Sequence, residues 1–185
     1  MIYIFLANGF EEVEALAPLD ILRRAGVEAQ LVSITNETVV RGAHGVGVTV
    51  DTVLPDADLT GADMLVLPGG LPGATNLDAC EPLRKALVKQ VEAGGMVAAI
   101  CAAPLVLGHL GLLKGKKATC YPGFETELEG ADYTASLVER DGQIITGKGP
   151  GAAFEFGYTI LAALGIDAEP LREGMMYNFL MSTAS

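Results

Sequence analysis

Residues 97–104 read VAAICAAP, an apolar run that shrinks to small residues around one cysteine. The residues before Cys101 have the character of a buried strand, and those after it read as the start of a helix. A thiol at that turn admits two readings. A free cysteine is often only a small buried hydrophobe. A nucleophile on a sharp strand-to-helix turn, by contrast, needs small residues two positions to either side, and Ala99 and Ala103 meet that need. A helix opening at Ala102 would aim free amides and its positive dipole end at the sulfur, which favours the thiolate.

Working outward, strands and helices alternate. IYIFLA (2–7) is a short buried strand, and EEVEALAPLDILRRAG (11–26) has apolar residues at helical spacing before a glycine stop. Pro18 is expected to kink that helix, because proline removes an amide donor and crowds the preceding turn. Further strands are expected over 27–34, twice within 38–51 around a glycine-rich turn, and over 62–70 and 96–101. Helices are expected over 81–93 and 102–113. Three more short strands near 117–120, 136–140 and 143–147 lead to a last helix opened by Pro150. Continuously apolar strands alternating with helices predict a mostly parallel sheet covered on both faces, whose ligands sit where strands hand over to helices. The whole chain, 1–185, reads as a single domain.

Two other strand-to-helix junctions carry chemistry. Glu11, Glu12 and Glu14 open the first helix, where carboxylates are stabilised by the dipole, and for Glu11 and Glu12 that role suffices. Glu14, beside the apolar Val13 and Ala17, could instead face the sheet top, where burial would raise its pKa and let it hold a proton beside a thiolate. Pro68-Gly69-Gly70-Leu71-Pro72-Gly73 lacks the lysine ending of a phosphate loop and the spacing of a dinucleotide fingerprint. It is either a plain glycine turn or half of an oxyanion hole, in which the amides of Gly70 and Ala102 meet charge developing on a carbonyl oxygen.

Composition removes other classes. A net charge of -11 repels nucleic-acid phosphate, and the largest basic cluster is Lys114, Lys116 and Lys117. No apolar run approaches the ~20 residues of a membrane span, and MIYIFLANGF lacks the basic region and cleavage site of a secretory signal, so a cytoplasmic location is expected. Cys80, Cys101 and Cys120, spaced by 21 and 19, fit neither a disulfide framework nor a zinc site. His44 and His109 lie 65 positions apart without metal-ligand spacing, so no metal is expected.

Five ordered motifs, FLANGFEEVEALAPLDILRRAG, LVLPGG, VAAICAAP, GKGPGAAFEFG and GMMYNFL, resemble the ThiJ/PfpI superfamily, in the branch of the parkinsonism-associated protein deglycase and bacterial YajL. The resemblance runs nearly end to end. It implies a flavodoxin-like α/β sandwich with a nucleophile-elbow cysteine, and a homodimer formed partly through the first helix. It implies Cys101 as the reactive thiol, Glu14 as its protonated partner, and Gly69, Gly70 and Ala102 around the pocket. The activities implied are cofactor-free conversion of methylglyoxal or other small dicarbonyls, a disputed protein deglycase activity, or, without catalysis, redox sensing or chaperoning through oxidation of the same cysteine.

One departure stands out. Where human-type members place histidine before proline, this chain has Tyr121-Pro122, and a tyrosine with a pKa near ~10 can position a substrate but is a poor base. The loop RGAHGVGV resembles one in which a basic residue approaches the partner's pocket, so His44 is either a surface histidine or a contributor to the second subunit's site. His109 is expected to be a packed or surface residue, two turns beyond the thiol. Ala102 after the cysteine departs from the protease branch, and the late His-x-Glu pair of glutamine amidotransferases has no match.

Overall fold

The computed structural model describes residues 1–183. In chain order the elements are β1 (Ile2–Leu6), α1 (Glu12–Arg24), β2 (Ala29–Ser33), β3 (Val39–Arg41), β4 (Gly47–Thr49), β5 (Thr52–Val53), β6 (Met64–Leu67), α2 (Gly73–Asp78), α3 (Glu81–Glu92) and β7 (Met96–Ile100). They continue as α4 (Pro104–His109), β8 (Lys117–Ala118), β9 (Asp132–Tyr133), β10 (Val138–Asp141), β11 (Ile144–Gly147), α5 (Ala153–Ala163), α6 (Glu169–Gly174) and α7 (Tyr177–Thr183).

Seven strands form the central sheet in the order β10-β11-β7-β6-β1-β2-β5, and every pairing except the β10–β11 hairpin is parallel. Because successive strand side chains point to opposite faces, the sheet divides its apolar residues between two cores. Ile2, Ile4, Leu6, Val66 and Ile100 pack with α1 and α5; Tyr3, Phe5, Leu65, Leu67 and Ala99 pack under α2, α3 and α4. Each large apolar side chain so buried stabilises the fold by roughly 1.5–3 kcal/mol. The result is the mostly parallel, doubly covered sheet expected from the alternation, and the flavodoxin-like sandwich that the resemblance implies.

Strand order also places the site. From β1 the chain crosses to β2 on one side, then returns to lay β6 on the other, so β1 and β6 flank the point where the order reverses. Their outgoing loops feed helices on opposite faces and leave a crevice at the strands' carboxyl ends.

Several expectations are corrected. α1 runs as one helix through Pro18, which is buried against α5; a Cβ on Gly157 would fall 2.7 Å from Ile21 Cδ1 and 3.2 Å from Pro18 Cα, so the bare glycine lets α5 close on that turn. The helix expected over 102–113 is only the six residues of α4, because the chain turns through left-handed Gly111 (φ +70°) shortly afterwards. The strand at 117–120 shortens to β8, which pairs with the unforeseen β9 apart from the main sheet, as do the hairpin strands β3 and β4 with each other. The sequence reading also missed β5, α2, α6 and α7, elements too short or too mixed in composition to show a period. Among the described residues no helix is long and apolar enough to cross a membrane.

Candidate active site

Cys101 follows β7 with φ +66°, a left-handed conformation that side-chain-bearing residues seldom adopt. Two backbone bonds hold it there: its N–H donates to Gly147 O (2.9 Å), and its carbonyl accepts from the Tyr121 N–H (2.8 Å). The turn therefore lifts the sulfur off the sheet top, with Ala99 and Ala103 fully buried beneath it.

The glycine loop is drawn in from β6. Gly69 O accepts from the Glu11 N–H (2.9 Å), and the Gly73 N–H donates to Gly9 O (3.1 Å), which ties the loop to the start of α1. Gly70 has φ +85°, and a Cβ there would fall 2.4 Å from Glu11 N, so only glycine fits. At Gly69 a Cβ would lie 2.6 Å from Cys101 Cβ and 2.7 Å from Glu14 Oε2. The thiol and the carboxyl thus meet over a residue that has no side chain.

Glu14 is fully buried in the first turn of α1. Its Oε2 accepts from the Gly69 N–H at 2.8 Å, whereas Oε1 has no hydrogen-bond partner among the described residues. Burial raises its pKa to about 7, and the charge of Glu11 adds to the rise; the Cys101 thiol and the Gly69 amide pull the other way. At Cys101 burial again dominates, and with the negative charge of Glu14 it pushes the thiol up to about 12, against the hydrogen bonds that the Gly70 and Ala102 amides give the sulfur. The sequence reading expected Cys101 as the reactive thiol with Glu14 as its protonated partner. The residue is only 8% exposed, and negative charge on Glu14 opposes charge on the sulfur.

The remaining candidates are spread around this pair. Tyr121 is 46% exposed, with its ring over Gly149, where a Cβ would lie 3.0 Å from Tyr121 Cδ2, and it lines a pocket of about 180 Å³ with Pro122, Lys148 and Pro150. Cys120, one residue earlier, is completely buried. His44 is largely exposed and bound within its own chain: its N–H donates to Glu12 Oε1 (2.9 Å) and Nδ1 lies 2.8 Å from Glu12 Oε2. Glu11, Glu12 and His44 bring their ligand atoms within 4.8 Å of one another, a grouping that the sequence spacing did not suggest. A cavity of about 670 Å³ lies away from the thiol, between α5 and α6. Sequence reasoning missed Gly147, whose carbonyl anchors Cys101; no local pattern signals a bond across 46 residues.

Residues 1–163 match the family model described as DJ-1/PfpI family. The chain belongs to the DJ-1/PfpI family. It is similar to protein DJ-1 homolog B of Arabidopsis thaliana, 44% identical over 165 residues that cover 88% of this chain but 38% of the plant protein, so it spans less than half of that relative's length. It also resembles two DJ-1/PfpI-type proteins of about its own size. One is the glutathione-independent glyoxalase DJR-1.2 of Caenorhabditis elegans (33% identity, 83% of this chain and 82% of the relative); the other is the deglycase PYRAB04690 of Pyrococcus abyssi (33%, 81% and 90%). Among solved structures, oxidized Toxoplasma gondii DJ-1 superposes with a TM-score of 0.90 at 31% identity, covering 95% of this chain and 97% of the other.

Proposed function

We propose that this DJ-1/PfpI chain is a cofactor-independent glyoxalase- or deglycase-type enzyme acting on small reactive dicarbonyls such as methylglyoxal, with Cys101 as nucleophile and Glu14 as its proton-carrying partner. The observation that carries the reading is the unequal treatment of the two acids. The Gly70 and Ala102 amides act to lower the Cys101 pKa, while buried Glu14 accepts one amide, from Gly69, and keeps an unpartnered Oε1. When the pair holds one proton, placing it on the carboxyl removes the charge that opposes the thiolate and spares the buried, half-partnered carboxyl a charge of its own. The names of the worm and archaeal relatives support the same substrate class.

In this reading the thiolate adds to the aldehyde carbon, and the Glu14 proton passes to the new alkoxide, giving a hemithioacetal. Glu14, now ionised, takes the C1 proton and returns it to C2 while the C1 hydroxyl proton passes to the C2 oxygen, with the amides of Gly70 and Ala102 meeting the oxyanion. The product is a lactyl thioester, and water cleaves it to lactate and the free thiol, so that methylglyoxal plus water becomes lactate without a net change in redox state. Tyr121 positions the substrate. The chain acts as a homodimer in which His44 approaches the partner's pocket. Titration of His44 before and after alkylation of Cys101 tests that placement, and an unchanged His44 pKa overturns it.

Methylglyoxal turnover by the wild type, Cys101→Ser and Glu14→Gln tests the central claim. Loss in both variants supports it. No wild-type turnover, with ready oxidation of Cys101 to a sulfinic acid, would favour redox sensing by the same pair.

A further inference from the structure

His109, the last residue of α4, touches neither Cys101 nor Glu14, yet it joins the segments that carry the site. Its Nδ1 lies 2.9 Å from Asp78 Oδ2 and its Nε2 lies 2.8 Å from Glu127 Oε2. A carboxylate only accepts hydrogen bonds, so a ring bonded at both nitrogens must be the imidazolium, the one form that donates from both. Asp78 ends α2, the helix that follows the Gly69-Gly70 loop. Glu127 closes the short turn Glu125–Glu127, a few residues beyond Tyr121. α4 itself follows Cys101. One ring therefore ties together three segments, each with a group of the site near its other end.

The preceding residue strengthens the junction. A Cβ on Gly108 would fall 2.0 Å from Glu127 O and 3.0 Å from Leu128 Cα, so the bare glycine seats the turn directly on α4. From there the chain returns through Phe124, whose N–H donates to Tyr121 O (3.1 Å), to Tyr121, whose own N–H donates to Cys101 O (2.8 Å).

We propose that His109 is a positioning residue: as an imidazolium it clamps residues 121–128 onto α2 and α4 and so holds Tyr121 at the mouth of the site, and the segment loosens when the ring loses its proton. The charged groups around the ring are Asp78 of α2, Glu127 of the turn and Arg84 of α3, which pairs with Asp78 and lies 3.8 Å from Glu81. With the ring protonated, Asp78 and Glu127 face two cations; without its proton, one carboxylate is left uncompensated. The hydrogen bonds the ring gives Asp78 and Glu127 raise the His109 pKa above the ordinary 6.5, so the clamp is complete below that value and is lost as pH rises through the raised one.

The test follows hydrogen exchange of the Phe124, Glu127 and Leu128 amides in the full chain, with the His109 ring titrated by NMR. In the wild type the protection of these amides, their exchange rate corrected for the intrinsic rise of exchange with pH, should fall about tenfold once the ring is neutral, and His109→Ala should show the low protection already at roughly pH 6. Glu127→Gln, which keeps the shape of the turn, should lower the His109 pKa and shift the onset of fast exchange by the same interval. Exchange that stays slow in a folded His109→Ala, or that ignores the ring's titration, overturns the clamp. Only the kinetic arm rests on the proposed function: KM for methylglyoxal should rise about fivefold in His109→Ala with kcat nearly unchanged. A wild type without turnover would sink the dicarbonyl reading and leave the exchange result to decide the clamp.

Discussion

Gly69 donates its backbone N–H to Glu14 Oε2 at 2.8 Å, and its missing side chain is what lets that carboxyl lie beside Cys101. A methyl group there would also meet Ile100 O at 2.8 Å, a backbone atom that cannot swing aside. Gly69→Ala should therefore destabilise the fold by about 1–3 kcal/mol and lower methylglyoxal turnover at least about tenfold. Chemical denaturation and steady-state kinetics check this. Full activity in the variant would mean that the close approach is dispensable.

The raised pKa of Glu14 is also a statement about stability. In the folded chain the Cys101–Glu14 pair gives up its first proton at about 7, whereas the ordinary value of the carboxyl is 4.5, so between those values the folded state binds more protons than the unfolded one. Stability should fall as pH rises through that window, by about 3 kcal/mol in total, and then level off. Glu14→Gln, which can keep an acceptor toward Gly69 and turn its amide toward the sulfur, should flatten the decline. Unfolding midpoints measured across the window give the answer.

Reactivity of the thiols should separate cleanly. If the proton of the Cys101–Glu14 pair resides on the carboxyl, alkylation of Cys101 should reach its plateau by about pH 7–8, below the range in which an ordinary thiol ionises. Cys120 is fully buried, and that burial, with the charge of Glu125, pushes its pKa to about 11, so it should react far more slowly. Alkylation rates resolved by peptide mass spectrometry test the assignment. A Cys101 rate that climbs only at strongly alkaline pH would place the charge on Glu14 instead.

The elbow stores strain at φ +66°. Glycine adopts that conformation freely, so Cys101→Gly should be more stable than Cys101→Ala by about 1 kcal/mol, even though both lose the thiol and glycine gains freedom in the unfolded chain. The reverse order in equilibrium denaturation would show that the left-handed backbone costs nothing here.

The alternation of buried strands and helices was written locally in the apolar periodicity, and so was the turn at Cys101, because alanine at 99 and 103 leaves room that larger side chains would close. The acid was visible as a residue able to face inward, since Glu14 sits in a first turn otherwise given to solvated carboxylates. The short α4 was not visible, because Gly111, where the chain turns off, reads no differently from Gly108 inside the helix and apolar residues continue past both. His109 read as a packed or surface residue, for its two carboxylates lie 31 residues before it and 18 after it.

The sequence by itself determined which residues are candidates for chemistry and on which strand-to-helix junctions they sit, because hydrophobic period and turn chemistry act over a few neighbouring residues. Only the tertiary structure decided how those groups treat one another: the meeting of Cys101 and Glu14 over Gly69, the unpaired Glu14 oxygen, and the sulfur's dependence on the carboxyl's proton. Those properties come from desolvation and from the strand order that puts β1, β6 and β7 side by side, and such distances are set through space by the whole sheet.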